Sequence, residues 1–65
     1  MQICKTKMAI AMARKGYKFT DLAAACGVSR AALSYINNGK TCKADVLLKI
    51  ATALDVQPEE LLKED

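Results

Sequence analysis

At 65 residues the chain has room for one domain, near the lower size at which a hydrophobic core suffices by itself, so its function must reside on a surface or in an assembly. Apolar residues make up 52% of it, aromatics are few, and alanine and leucine dominate, which predicts helices and excludes a disordered or strand-built chain. Eight basic residues stand against Asp21 alone from Met1 to Lys43, and two against six acids from Ala44 to Asp65, a polarity that fits either an anionic partner or a plainly solvated face.

Turn and cap residues divide the chain into about five short helices. The first is expected from about Ile3 to Lys15, with Cys4, Met8, Ala11, Met12 and Lys15 on one stripe and Gly16 ending it. The second spans about Phe19 to Cys26 and closes at Gly27. The third takes Ser29 as N-cap, runs to about Asn38 and closes at Gly39. The fourth, about Ala44 to Leu54, buries a face of Leu47, Leu48, Ile50, Ala51 and Leu54. The fifth begins at Pro58, suited to a first helical turn, with Glu59 and Glu60 favourable to the helix dipole there and Leu61 and Leu62 packing back on the core.

Several chemistries are excluded along the way. No apolar run approaches the roughly 18 residues of a bilayer span, and the start lacks a signal-peptide layout, so a cytoplasmic protein with no membrane partner is expected. Cys4, Cys26 and Cys42 are odd in number and form no Cys-x-x-Cys pair, which argues against a disulfide framework. Without histidine, a zinc site would need all three cysteines and a carboxylate at none of the usual short spacings. No cofactor, metal or small-molecule substrate is therefore expected. An enzyme is the poorest reading, since there is no phosphate-cradling glycine loop and no recognisable nucleophile with its base.

The segment Phe19 to Asn38, FTDLAAACGVSRAALSYINN, carries the size constraints of a tight two-helix motif. Leu22, Cys26, Leu33 and Ile36 are apolar where the helices face each other, and Val28 is apolar inside the turn. Ala23 falls where the second helix crosses the first. Gly27 follows a helix end, where a left-handed backbone makes a β-carbon cost about 1 kcal/mol or more. On the third helix, at about 100° per residue, Leu33 and Ile36 point one way and Ala31, Ser34, Tyr35 and Asn38 the other, with Arg30 reaching out from the first turn.

This stretch resembles the helix-turn-helix of the Cro/C1-type (XRE-like) regulators of bacteria and phages. GVSRAALSYINNGK is similar to that family's recognition helix and the glycine-lysine after it, and LLKIATALDVQPEELL to its fourth and fifth helices, so the likeness spans about Met8 to Leu62. It implies an all-α, compact five-helix lambda-repressor-like DNA-binding domain over residues 1–65, with the helix-turn-helix in helices 2 and 3. It also implies sequence-specific binding of double-stranded DNA as a small transcriptional regulator, a repressor by expectation, with the third helix in the major groove. By position in the family motif Arg30, Ala31 and Tyr35 match base-contacting places, with Ser34 adjacent. Arg30 can pair bidentately with guanine and Ala31 can meet a thymine methyl. Asn38, Lys40 and Thr41 match the place that grips phosphate. The plainer readings make Arg30 an ordinary solvated helix-start residue and Tyr35 a packing residue at the rim.

Departures from the family pattern are informative. Lys18 and Lys43 stand before helices two and four, where a capping serine or threonine is usual. They are expected to trade about 1 kcal/mol of capping each for phosphate contact, unless Thr20 and Thr41 cap slightly shifted helices. Phe19 replaces a phosphate-bonding glutamine and is expected to pack beside Tyr17 or to stand near the sugar-phosphate edge. Aligning on Gly16 and Gly39 puts Met12 and Asn37 where many members hold an arginine–glutamate pair, so Met12 is expected against the third helix.

The family resemblance further implies a homodimer through the C-terminal helix region, about Asp55 to Leu62, with Val56 and one of Leu61 or Leu62 as apolar contributors. Ile3 and Ile10 form a competing patch. The alternative function is the antitoxin component of a toxin–antitoxin pair, whose main ligand is a partner protein; the near absence of chain beyond the fifth helix weighs against it. Met1 and the acidic end weigh against a fragment of a longer regulator.

Overall fold

Three of the helices close on a residue in the left-handed region, Gly16, Gly27 or Asp55, and the one ending at Asn37 closes through Asn38 just before left-handed Gly39. The structure, a computed structural model, describes residues 1–63. It contains α1 (Lys5–Lys15), α2 (Phe19–Cys26), α3 (Arg30–Asn37) and α4 (Ala44–Leu54), followed by one 3-10 turn, Pro58–Leu61. The expected fifth helix is thus only that turn. Pro58 opens it and the Glu60 carboxylate accepts from the Gln57 N–H at 2.7 Å. Leu62 then turns extended, and a run of four residues is typical of 3-10 geometry.

The start of α1 falls two residues later than expected. Ile3 is not helical: it pairs with Leu62 in an isolated antiparallel bridge, and the Cys4 N–H donates to the Leu61 carbonyl at 2.7 Å. An extended backbone at Cys4 (φ −75°, ψ 119°) leaves that cysteine as an N-cap without a side-chain bond. Ile3 therefore belongs to the core and cannot be half of an exposed patch. At the other end α1 closes on Gly16 in the left-handed region, and Arg14 and Lys15 in its last turn complement the dipole. Lys15 is exposed and takes no part in the buried stripe, which consists of Met8 and Ala11 with Met12 packed at its edge.

The core gathers one face of every helix. Met8, Leu22, Leu33, Ile50, Leu54 and Leu61 are fully buried, and α4 packs against α2, α1 and the terminal turn. Leu48 is the exception on α4. It lies on the outer side and is 53% exposed, because positions 47, 50, 51 and 54 already fill the stripe that faces inward. No buried side-chain polar atom lacks a partner among the described residues.

Candidate nucleic-acid interface

The two central helices are held by the residues that their sizes indicated. Leu22, Ala23 and Cys26 of α2 and Leu33 and Ile36 of α3 are buried, and Val28 in the turn is half-buried against them. Gly27 adopts φ +71°, and a β-carbon there would meet nothing within 4 Å. The glycine is thus required by backbone conformation and not by crowding. Ser29 caps α3, its hydroxyl accepting from the Ala32 N–H at 3.2 Å.

This packing leaves the opposite face of α3 outward. Arg30, Ala31, Ser34, Tyr35 and Asn38 are all exposed, Tyr35 by 61%. The face is small and polar apart from one guanidinium and one phenol, so it can approach another surface closely. Two of its members are engaged within the chain. Asn38 Nδ2 donates to the Ser34 carbonyl at 2.9 Å, and the Lys40 ammonium lies 5.4 Å from the centroid of the Tyr35 ring, within cation–π range.

Past α3 the chain presents its cations. Lys40, Thr41 and Lys43 are exposed and, with Tyr35, line one hollow floored by Ile36, Cys42 and Val46. The Lys40 N–H donates to the Tyr35 carbonyl at 3.0 Å, fixing the loop to the helix end. Lys43 and Lys18 occupy the N-cap places of α4 and α2 without side-chain cap bonds. Neither helix start is shifted to let Thr41 or Thr20 cap it. At α2 only the reverse bond forms, with Asp21 Oδ2 accepting from the Lys18 N–H at 2.9 Å. Lys18 is exposed and does not line the hollow of Lys40 and Lys43.

Sequence reasoning missed the first residues of the chain. The Met1 carbonyl accepts from the Cys42 N–H at 2.7 Å, and Gln2 Nε2 donates to the Gly39 carbonyl at 2.7 Å. The Lys63 N–H in turn donates to the Gln2 carbonyl at 2.9 Å. This N-terminal strap ties the loop after α3 to the end of the chain. Its partners lie 37 (Gly39), 41 (Cys42) and 61 (Lys63) residues away, and nothing in local periodicity signals such contacts.

The three cysteines are free, and no group of three or more histidine, cysteine, aspartate or glutamate residues is placed to hold a metal among the described residues. No helix of those residues is long and apolar enough to cross a membrane.

Comparison with known proteins gives a family and a fold. The family model of the Cro/C1-type HTH DNA-binding domain matches residues 7–64. Two solved structures of PhpD, one described as native with cadmium atoms and one with cadmium complexed with hydroethylphosphonate, superpose with a TM-score of 0.82 at 23% identity. Each match covers 98% of this chain but only 14% of that protein's chain. At that identity the likeness concerns the fold alone. No curated protein matches the sequence.

Proposed function

Because the chain belongs to the Cro/C1-type helix-turn-helix DNA-binding family, we propose that it is a small prokaryotic or phage transcriptional regulator that represses by occupying an operator. The observation that carries the reading is the outward face of α3, where Arg30, Ala31, Ser34 and Tyr35 stand exposed opposite buried Leu33 and Ile36. An α-helix with its side chains is about 10–12 Å across, which fits the roughly 12 Å width of the major groove. Arg30 reads guanine, Ala31 and Ser34 lie close to base edges, and Tyr35 offers its ring or hydroxyl. Asn38, Lys40, Thr41 and Lys43 grip the phosphates beyond one end of that helix and Lys18 those at the start of α2, positioning without reading sequence.

The protein acts in the cytoplasm, without a catalytic step or cofactor, and as a homodimer. One recognition helix contacts too few base pairs for tight specific binding, and the body is 28 Å in its longest extent, short of the roughly 34 Å between successive half-sites. Selection of bound sequences from random duplex DNA tests the proposal. The expected result is a two-fold symmetric motif with half-sites about one turn apart. Recovery of no enriched sequence would refute it.

A further inference from the structure

The start of α1 sits against the end of the recognition helix, and this arrangement has no counterpart in the helix-turn-helix itself. Lys5, first residue of α1, extends its ammonium to 3.5 Å from Asn38 Oδ1. Asn38 is the C-cap of α3, and its other amide group is committed to the Ser34 carbonyl at 2.9 Å. The amide is therefore oriented: nitrogen toward its own helix, oxygen toward Lys5. Lys5 and Lys63 both line the hollow beside Asn38 and Gly39. The strap fixes this placement from the backbone side, through Gln2 to Gly39 and Met1 to Cys42, while Lys5 remains exposed.

We infer that Lys5 is a phosphate-binding residue for duplex DNA, held by Asn38 at the edge of the interface, so that the phosphate grip is built from two chain segments 33 residues apart. The inference rests on the DNA-binding reading above and extends it. Besides its own place in the phosphate grip, Asn38 positions Lys5. One amide hydrogen goes to Ser34 and the oxygen faces a cation, so the charge presented to a phosphate comes from the lysine. A hydrogen bond from an exposed ammonium at 3.5 Å leaves that ammonium free to donate its remaining protons outward. The C-terminal end of the α3 dipole favours a cation at the same place, which is the competing, purely structural role for Lys5.

Salt titration of duplex binding separates the two roles. Each phosphate neutralised adds about 0.9 to the slope of log affinity against log salt. Lys5→Met, which keeps the stem and removes the charge, is expected to reduce the slope by about 0.9, so that raising salt from 50 to 200 mM weakens the variant roughly three- to four-fold less than the parent. Lys5→Arg restores the slope, and Asn38→Ala lowers affinity for all duplexes alike. Lys49→Met, removing one exposed charge from α4, leaves the slope as it was. Thermal melts and a second variant, Lys5→Gln, guard against loss of fold. A parent slope that is steep and unchanged in Lys5→Met and Lys5→Gln overturns this inference alone, and so does an equal change in Lys49→Met. A parent that binds no duplex at low salt overturns the DNA-binding reading and this inference with it.

Discussion

Met12 of α1 and Asn37 of α3 line the same hollow, together with Tyr17 and Phe19. Both are half-buried, and aligning on Gly16 and Gly39 puts them where the family resemblance implies that many members hold a charged pair. A thioether and an amide serve there because replacing both charges of a partly buried pair can be neutral, whereas leaving one alone is not. Phe19 packs beside Tyr17 in the same hollow, each half-buried against the core.

Reintroducing the charges one at a time tests this. Met12→Arg and Asn37→Glu are each expected to cost about 1 to 2 kcal/mol, less than in a fully dry site because water reaches the hollow. The double variant recovers part of the loss, with a coupling of about 1 kcal/mol. Denaturant unfolding of the four proteins measures it, and a coupling of zero would mean that the two side chains do not meet.

Gly27 joins α2 to the turn at φ +71° with open space around its α-carbon. Gly27→Ala is expected to cost about 1 kcal/mol from backbone strain alone, lowering the melting temperature by roughly 4 to 8 °C for a domain this small. DNA affinity measured well below the melt should change little. A variant that melts at the parent temperature would show that the turn does not need a left-handed residue.

The boundaries of α2 and α4 were legible from strong apolar stripes, with Gly27 stopping α2, although neither helix starts on a capping side chain, and the outward face of α3 was legible from its 100° spacing. What escaped was non-local. Ile3 reads as an exposed helical residue until Leu62 is brought beside it. Leu61 and Leu62 look equivalent in sequence, yet Leu61 is fully buried and Leu62 half-buried. Lys5 reads as one more surface lysine until the fold sets it against Asn38. Such contacts depend on the path of the whole chain, which periodicity within one helix does not encode.

Arg30 and Lys40 separate reading from gripping. Arg30→Ala is expected to cost about 1 to 3 kcal/mol on the preferred duplex and to relax selection at one base pair. Lys40→Ala weakens all duplexes alike and lowers the salt slope by about 0.9. It also frees the Tyr35 ring from its cation. Affinities measured on a panel of single-base substitutions at several salt concentrations decide both. An unchanged selected motif in Arg30→Ala would remove its role as a base reader.

Dimerisation can be tested at residues the fold leaves uncovered. Leu61 is fully buried and cannot contribute to a seam, and Leu62 is tied to Ile3. Val56 is half-buried and borders two adjoining hollows, one lined with Ile10 and Arg14 and the other with Leu48, Thr52 and Asp55. Leu48 is 53% exposed and Ile10 49%, so the apolar area lies on either side of the residues after α4. Both hollows border the segment after α4, that with Leu48 at Asp55 to Pro58 and that with Ile10 at Val56 and Glu59 to Leu61, and Leu48, the more exposed of the two, is the expected anchor of a two-fold seam. Leu48→Asp, on the exposed side of α4, should leave the fold intact and weaken self-association at least tenfold, a loss of about 1.4 kcal/mol or more. Operator binding then becomes weaker and steeper in protein concentration, because assembly has to occur on the DNA. Ile10→Asp should do neither. Sedimentation equilibrium across micromolar concentrations, free and with operator duplex, reads both variants. A parent that sediments as a monomer in both conditions would remove the seam, and a dimer weakened by Ile10→Asp instead would move it to α1.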